Sequence, residues 1–326
     1  KFSKKTKNYV DPNILISRYG ADSIRLYLLQ SPITGAEPLA FKEDDIKNLN
    51  KELFQFKNCV DFLIEHITNQ RTSGVVFDLT AYQKTDNHLD IWIIKHVNNL
   101  TRQIITLLDD YQIAKATRYL IDCIEDITNW YVKFNRDRMK GLSGNEEWII
   151  STSVLYQVIM RFITLLAPFA PFYSQYIYDL LGQKTITSQK QFIHQYEYSS
   201  EIVYNESNGD EYLQTFELLK RICRLVRSAR KNTKHHTSNK TPIKSCNISL
   251  DNEAQMPFVA KCIDYIHDEL NILDITYSTL SNQMKYKIVP VRAVLGKKYK
   301  KTLGPIIKIL DNIVPFSGNE IGRAHV

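Results

Sequence analysis

The stretch EDDIKNLNKELFQFKNCVDFLIEHITNQ, residues 43–70, decides the fold. Ile46, Leu49, Leu53, Phe56, Val60, Leu63 and Ile67 recur at three- and four-residue spacing, with polar residues between them. That period places one apolar stripe along a helix and predicts that the stripe is buried against other elements. Downstream, a polar link over 71–87 leads to further helical patterns over about 88–109, 111–139, 145–166 and 169–182, broken by Gly141, Gly144 and Pro168. Upstream, Asp11 is an N-cap with Pro12 at the first helical position, and Ile14, Leu15 and Ile16 lead to Tyr19-Gly20. A second short helix covers Ala21–Leu29 and stops near Ser31-Pro32. The expectation is a mainly α fold built on an antiparallel helical bundle.

Past the bundle the pattern changes. Residues 183–207 are polar and aromatic-rich and read as surface structure, and a helix follows over about 210–232. After Pro242 come short alternating runs, Cys246–Leu250, Ile272–Tyr277 and Tyr286–Pro290, with helices around 253–268 and 299–313. These predict a small α/β C-terminal domain.

Composition narrows the function classes. The chain has 326 residues, 44% hydrophobic and 24% charged, enough for a large core and unlike collagen, linker or disordered sequences. Lys+Arg 42 against Asp+Glu 35 leaves +7, a sign that favours a polyanionic partner. No run approaches the ~18 consecutive apolar residues of a membrane span, and no apolar leader core follows the basic start, so no membrane partner is expected. Cys59, Cys123, Cys223, Cys246 and Cys262 are scattered, without a CxxC pair, and read as core filler; no metal site is expected. His88, His96 and His194 occur singly and read as structural or exposed.

The positive charge is unevenly placed. From Lys220 to Leu250 there is no acidic residue. On a helix Lys220, Arg224, Arg227, Arg230, Lys231 and Lys234 fall within one arc of about 120°, opposite Leu218, Ile222, Leu225, Val226 and Ala229. A one-sided cationic stripe, continued by His235, His236, Lys240 and Lys244, suits phosphate neutralisation, against the alternative of a solvated helix face. A second set, Lys133, Arg136, Arg138 and Lys140, lies near a predicted helix C-terminus, where the dipole favours cations whatever the function. A third, Lys297-Lys298-Tyr299-Lys300-Lys301, lacks the glycine spacing of a P-loop.

The opening, Lys1-Phe2-Ser3-Lys4-Lys5, resembles the KMSKS loop of class I aminoacyl-tRNA synthetases, and Gly20-Ala21-Asp22-Ser23-Ile24-Arg25-Leu26-Tyr27-Leu28 resembles the stretch that follows it. Three further blocks, residues 128–136 (TNWYVKFNR), 166–172 (LAPFAPF) and 268–271 (DELN), together with Val294-Leu295-Gly296-Lys297, are similar to isoleucyl-tRNA synthetases of the eukaryotic cytosolic type. The resemblance runs from residue 1 to about 315.

It implies a KMSKS-like loop and stem-contact region over 1–42, an anticodon-binding helical bundle over 43–207, and a basic helix with a small α/β junction domain over 208–315. A tail over 316–326 follows, whose end, Ile321–Val326, matches adapter-like codons and is expected to be non-native. It also implies that Lys1, Ser3 and Lys4 are catalytic, Lys4 with Lys1 and Lys5 contacting the phosphates of ATP, which enters with Mg2+. A mobile cationic loop of this kind stabilises the charge that builds on the phosphates in the transition state. Phe2 stands where Met is usual and Lys5 replaces the final serine.

The implied partners are tRNA(Ile), with Arg136, Arg138, Lys140, Arg224, Arg227, Arg230, Lys231 and Lys234 as candidate contacts, ATP, isoleucine and a multi-synthetase assembly, in the cytoplasm. The HIGH motif and editing domain lie upstream in that family, so this chain alone is expected to bind no cofactor and to activate no amino acid. Within the helix 111–139 the spacing Ile124, Ile127, Tyr131, Phe134 assigns Tyr131 to the core and leaves Trp130 open between core and stacking platform. A valyl-tRNA synthetase fragment and a non-catalytic helical RNA-binding module are the alternatives.

Overall fold

The computed structural model describes residues 11–184, 190–204, 209–232, 241–250 and 253–279. Two short helices come first, α1 (Pro12–Tyr19) and α2 (Ala21–Leu29). The Asp11 carboxylate accepts from the Asn13 N–H at 2.9 Å and opens α1, and Gly20 at φ +80° makes the corner between the two. The bundle is α3 (Glu43–Thr72), α4 (His88–Asp109), α5 (Ile113–Glu125), α6 (Arg136–Met139), α7 (Asn145–Leu166) and α8 (Pro171–Lys184).

All seven stripe residues of α3 are buried, Ile46, Phe56, Val60, Leu63 and Ile67 fully so. They face α7, with Phe56 and Phe162 ring centroids 4.9 Å apart. α7 is apolar almost all round because α3, α4, α6 and α8 surround it. It is the one described helix long and apolar enough to cross a membrane, and 83% of that window is buried inside the bundle. Two of its buried hydroxyls are tied to neighbours: Gln70 Nε2 donates to Thr152 Oγ1 at 2.9 Å and Ser153 Oγ to the Leu79 carbonyl at 3.1 Å.

α5 does not stop at Glu125. A π-helical stretch, Asp126–Val132, continues it toward α6, so the predicted helix 111–139 holds one widened segment. This widening lets the neighbours Trp130 and Tyr131 both enter the core, at 2% and 0% exposure. Trp130 is thus settled as core, and the stacking-platform alternative is corrected. The chain turns between α6 and α7 at Gly141, where φ is +79° and a Cβ would lie 2.9 Å from Trp148 Cε3. The surface expectation for 183–207 is also revised for the described part. Buried Arg161 on α7 donates to the Glu197 and Tyr198 carbonyls, Ser200 Oγ and Thr101 Oγ1, pinning that segment to the bundle with Ile193 and Ile202 inside.

Between α3 and α5 one carboxylate is poorly placed. Glu52 is half-buried, its Oε2 has no hydrogen-bond partner, and burial, then Asp122 and Glu125, raise its pKa above 4.5. A carboxyl whose pKa is raised by folding destabilises the fold once it ionises. Glu52→Gln is therefore expected to raise the melting temperature at neutral pH and to change nothing well below 4.5. Calorimetry at the two pH values measures this, and an equal gain at both would rule out ionisation as the cause.

The chain divides into two compact units between Phe216 and Glu217, within α9 (Gly209–Asn232). The second unit contains β1 (Ile243–Leu250), α10 (Met256–Leu270) and β2 (Ile272–Thr279), two parallel strands with a crossover helix, registered Ile243 to Ile272 and Leu250 to Thr279. The expected strand Tyr286–Pro290 and helix 299–313 lie outside the described residues. Cys59, Cys123, Cys223 and Cys262 are buried thiols, and burial pushes Cys59 and Cys262 up to about 12, far from reactive thiolates.

Candidate nucleic-acid interface

The candidate residues divide sharply once their partners are known. Arg138 points inward. Its Nη1 and Nη2 fork onto Asp90 at 3.1 and 3.0 Å, its Nε donates to Glu147 at 2.7 Å, and Nη1 also reaches the Asn135 side chain. Nη2 lies 2.6 Å from Glu147 as well. The guanidinium thus makes four hydrogen bonds within the protein and is ion-paired with both Asp90 and Glu147, which turns it away from a phosphate. Asp90, at 0% exposure, also accepts from Tyr131 Oη and Thr85 Oγ1, each at 2.7 Å. Burial opposes the Arg138 charge, but Asp90 beside it holds the guanidinium protonated above its ordinary value. Burial and Asp90 together push the Tyr131 hydroxyl well up, so it remains a donor. Arg138 is corrected from a candidate contact to the clamp that fixes the turn carrying its neighbours.

Those neighbours face water. Lys133, Arg136 and Lys140 are exposed. Arg136 lies over the Phe62 ring, 5.7 Å from its centroid, and Phe62 meets His66 edge-on at 4.3 Å. Burial lowers the His66 pKa, and Lys140 and Arg136 lower it further while Glu65 opposes them, so its imidazole is neutral at pH 7. The patch is therefore the exposed cations Arg136 and Lys140 beside an aromatic ring and an uncharged imidazole, with Lys133 exposed one turn earlier, a combination that meets both phosphate charge and base faces. Phe62 and His66 escaped sequence reasoning; their only signal is an i, i+4 pair on the helix flank beside the stripe.

α9 is a different case. Lys220 is 5% exposed and pairs with Glu217 at 2.5 Å. Arg227 pairs with the buried carboxylate of Glu269 on α10. Arg230, 6% exposed, donates to the Thr241 carbonyl at 2.9 Å and to the Leu270 and Asn271 carbonyls. The uniform cationic stripe is corrected for these three: Lys220 pairs along its own helix, while the Glu269 carboxylate and the Leu270 and Asn271 carbonyls that receive Arg227 and Arg230 come from the C-terminal end of α10, where the dipole also favours cations. Asn271, at φ +48°, ends that turn. Leu225 and Ala229, expected inside, are exposed, as are Arg224 and Lys231. Lys1, Ser3, Lys4, Lys5 and Lys234 lie outside the described residues.

Residues 90–245 match the anticodon-binding domain of tRNA ligase, and residues 1–40 match the tRNA synthetases class I (I, L, M and V). The chain is 33% identical over 310 residues to the cytoplasmic isoleucine–tRNA ligase of Saccharomyces cerevisiae, covering 92% of this chain and 29% of that protein.

This chain is a homologue of the isoleucine–tRNA ligases.

The cytoplasmic isoleucine–tRNA ligases of Schizosaccharomyces pombe, at 32% identity over 96% of this chain, and Arabidopsis thaliana, at 30% over 94%, extend the likeness. The chain spans 26–30% of the length of these relatives. The homology places the anticodon-binding region across the helices that carry Asp90, Arg136 and Arg138.

Proposed function

We propose that this chain is the tRNA-handling part of an isoleucine–tRNA ligase that joins isoleucine to tRNA(Ile) at the expense of ATP, with magnesium accompanying the nucleotide, in the cytoplasm. In this reading Lys1, Ser3 and Lys4, with Lys5, serve the ATP phosphates, and Arg224 and Lys231 add outlying contacts to the RNA backbone. Membership of a multi-synthetase assembly belongs to the same proposal. Among the described residues no group of three or more His, Cys, Asp or Glu side chains could hold a metal.

The observation that carries the proposal is the Lys133, Arg136 and Lys140 patch, held by the Asp90–Arg138 clamp beside Phe62 and His66 of α3. α3 has 30 residues, about 45 Å at ~1.5 Å each, and the patch abuts its C-terminal half while α2 packs on the same helix. A rigid rod with a basic, ring-backed end is suited to measuring along an RNA and gripping its loop.

The test is binding of a tRNA(Ile) transcript across a salt series. Changing Lys133, Arg136 and Lys140 together to Ala is expected to weaken binding and flatten the log–log salt slope by up to about one unit per lost phosphate contact. An unchanged slope would remove the patch from the interface.

A further inference from the structure

Two sequence blocks that the basic patch does not use meet in the structure. Residues 166–172 (LAPFAPF) form the corner between α7 and α8, and none of their side chains can donate or accept a hydrogen bond. A helix start commonly finds an acceptor on the residue before it, and before Pro171 that residue is Ala170. The corner therefore cannot cap itself, although Ala167, Phe169 and Ala170 are buried.

The missing partners come from α2. Asp22 Oδ2 accepts from the Tyr173 N–H at 2.6 Å, in the first turn of α8, where the helix dipole favours an acid. One turn further along α2, Arg25 Nε donates to the Phe169 carbonyl and Nη2 to the Pro168 carbonyl, each at 3.2 Å. These carbonyls lie just past the end of α7, where the dipole favours a cation. Acid and base stand at i and i+3 on one face of α2, with Arg25 Nε 4.0 Å from Asp22 Oδ1. Burial raises the Asp22 pKa, and the Tyr173 N–H, Arg25 and the Phe172 N–H oppose it. A guanidinium forked over two carbonyls sets direction as well as distance. The clasp also lies on a boundary. α1 and α2 fall in the region similar to class I synthetases, whereas α7 and α8 fall in the region similar to the anticodon-binding domain.

We propose that Asp22 and Arg25 are positioning residues for aminoacylation, which clasp the α7–α8 corner and so set the orientation of the anticodon-binding bundle against the α1–α2 segment. The inference rests on the ligase reading above and adds to it two residues that act through the corner. A tRNA gripped by the bundle then arrives with its reacting end in register. Register matters because a misplacement of about 1 Å costs a reaction up to ~100-fold in rate.

The test uses the whole ligase that carries this chain, with a tRNA(Ile) transcript. Arg25→Met keeps the aliphatic stem, at a side chain 47% exposed, and removes every donor. It is expected to lower kcat for isoleucine charging by about tenfold or more, with KM for tRNA within about twofold of wild type. Isoleucine-dependent ATP–pyrophosphate exchange without tRNA is expected to stay unchanged. Arg25→Lys, which lacks the planar fork, is expected to recover part of the loss. Asp22→Asn, which keeps an acceptor for Tyr173 without the charge, is expected to show the same split more weakly. Melting temperatures are taken alongside, because loss of folded enzyme lowers charging and exchange by one common factor. Such a common factor, unchanged charging, or a rise in KM alone overturns the clasp as a positioning device. Absence of isoleucine-dependent exchange in the wild type overturns the ligase reading, and this inference with it.

Discussion

Asp90→Ala is expected to destabilise the helical unit by about 3–5 kcal/mol, the loss typical of stripping one partner from a buried ion pair. Asp90 has no exposed surface and is the common acceptor for Arg138, Tyr131 and Thr85. Without it the Arg138 guanidinium, 13% exposed at the side chain, keeps Glu147 and Asn135 but loses both prongs of its fork, and the Tyr131 hydroxyl is left without its acceptor. Against a typical domain stability of about 5–15 kcal/mol this is a large fraction. Replacing both ends, Asp90→Leu with Arg138→Met, is expected to recover much of the loss, since the desolvation of two charges disappears with their attraction. Urea denaturation of the single and double variants measures both. A single variant within about 1 kcal/mol of wild type would show that water replaces the carboxylate and that the clamp adds little.

Phe216→Ala is the second large effect, about 3–5 kcal/mol by the usual scale for deleting a buried ring. Phe216 is 2% exposed, stacked 3.4 Å from Trp92 at 20° and edge-on to Trp130 at 6.0 Å. These rings hold the first turns of α9 on the bundle, with Tyr212 beside Lys95 and His88 contributing less. The expected result is faster amide exchange over 209–216, with the interior of α7 still protected, because local opening needs less free energy than global unfolding. Equal protection in variant and wild type would mean that α9 is held by its own helical bonds rather than by this aromatic seat.

The helices were legible in the sequence because each buries one face, and a 3.6-residue period survives whatever it packs against. The stretch 43–70 became α3, ending at Thr72, and 145–166 and 88–109 became α7 and α4 with the same limits. Direction of a charged side chain was not legible. Arg138 carries the same charge as Arg136, and what separates them is Asp90, 48 residues away along the chain. Arg227 met its acid 42 residues away, beyond the acid-free stretch that made the stripe look exposed. The DELN block, noticed only as a pattern, proves to hold Glu269 and the Leu270 and Asn271 carbonyls that receive Arg227 and Arg230. A residue pattern states local period and local charge; pairing across the fold is a property of the assembled helices.

The π-helical stretch Asp126–Val132 determines in which direction the basic end points. Every residue after it, Lys133, Arg136, Arg138 and Lys140 included, inherits an angular offset created by one widened turn. Removing a single uncharged residue from that turn would rotate the downstream cations by about 100° about the helix axis relative to α5. Arg138 would swing off Asp90 and Arg136 off Phe62 although no charge had been altered. Azimuth, set by a local miscount of residues per turn, is thus as much a determinant of this surface as the lysines and arginines on it.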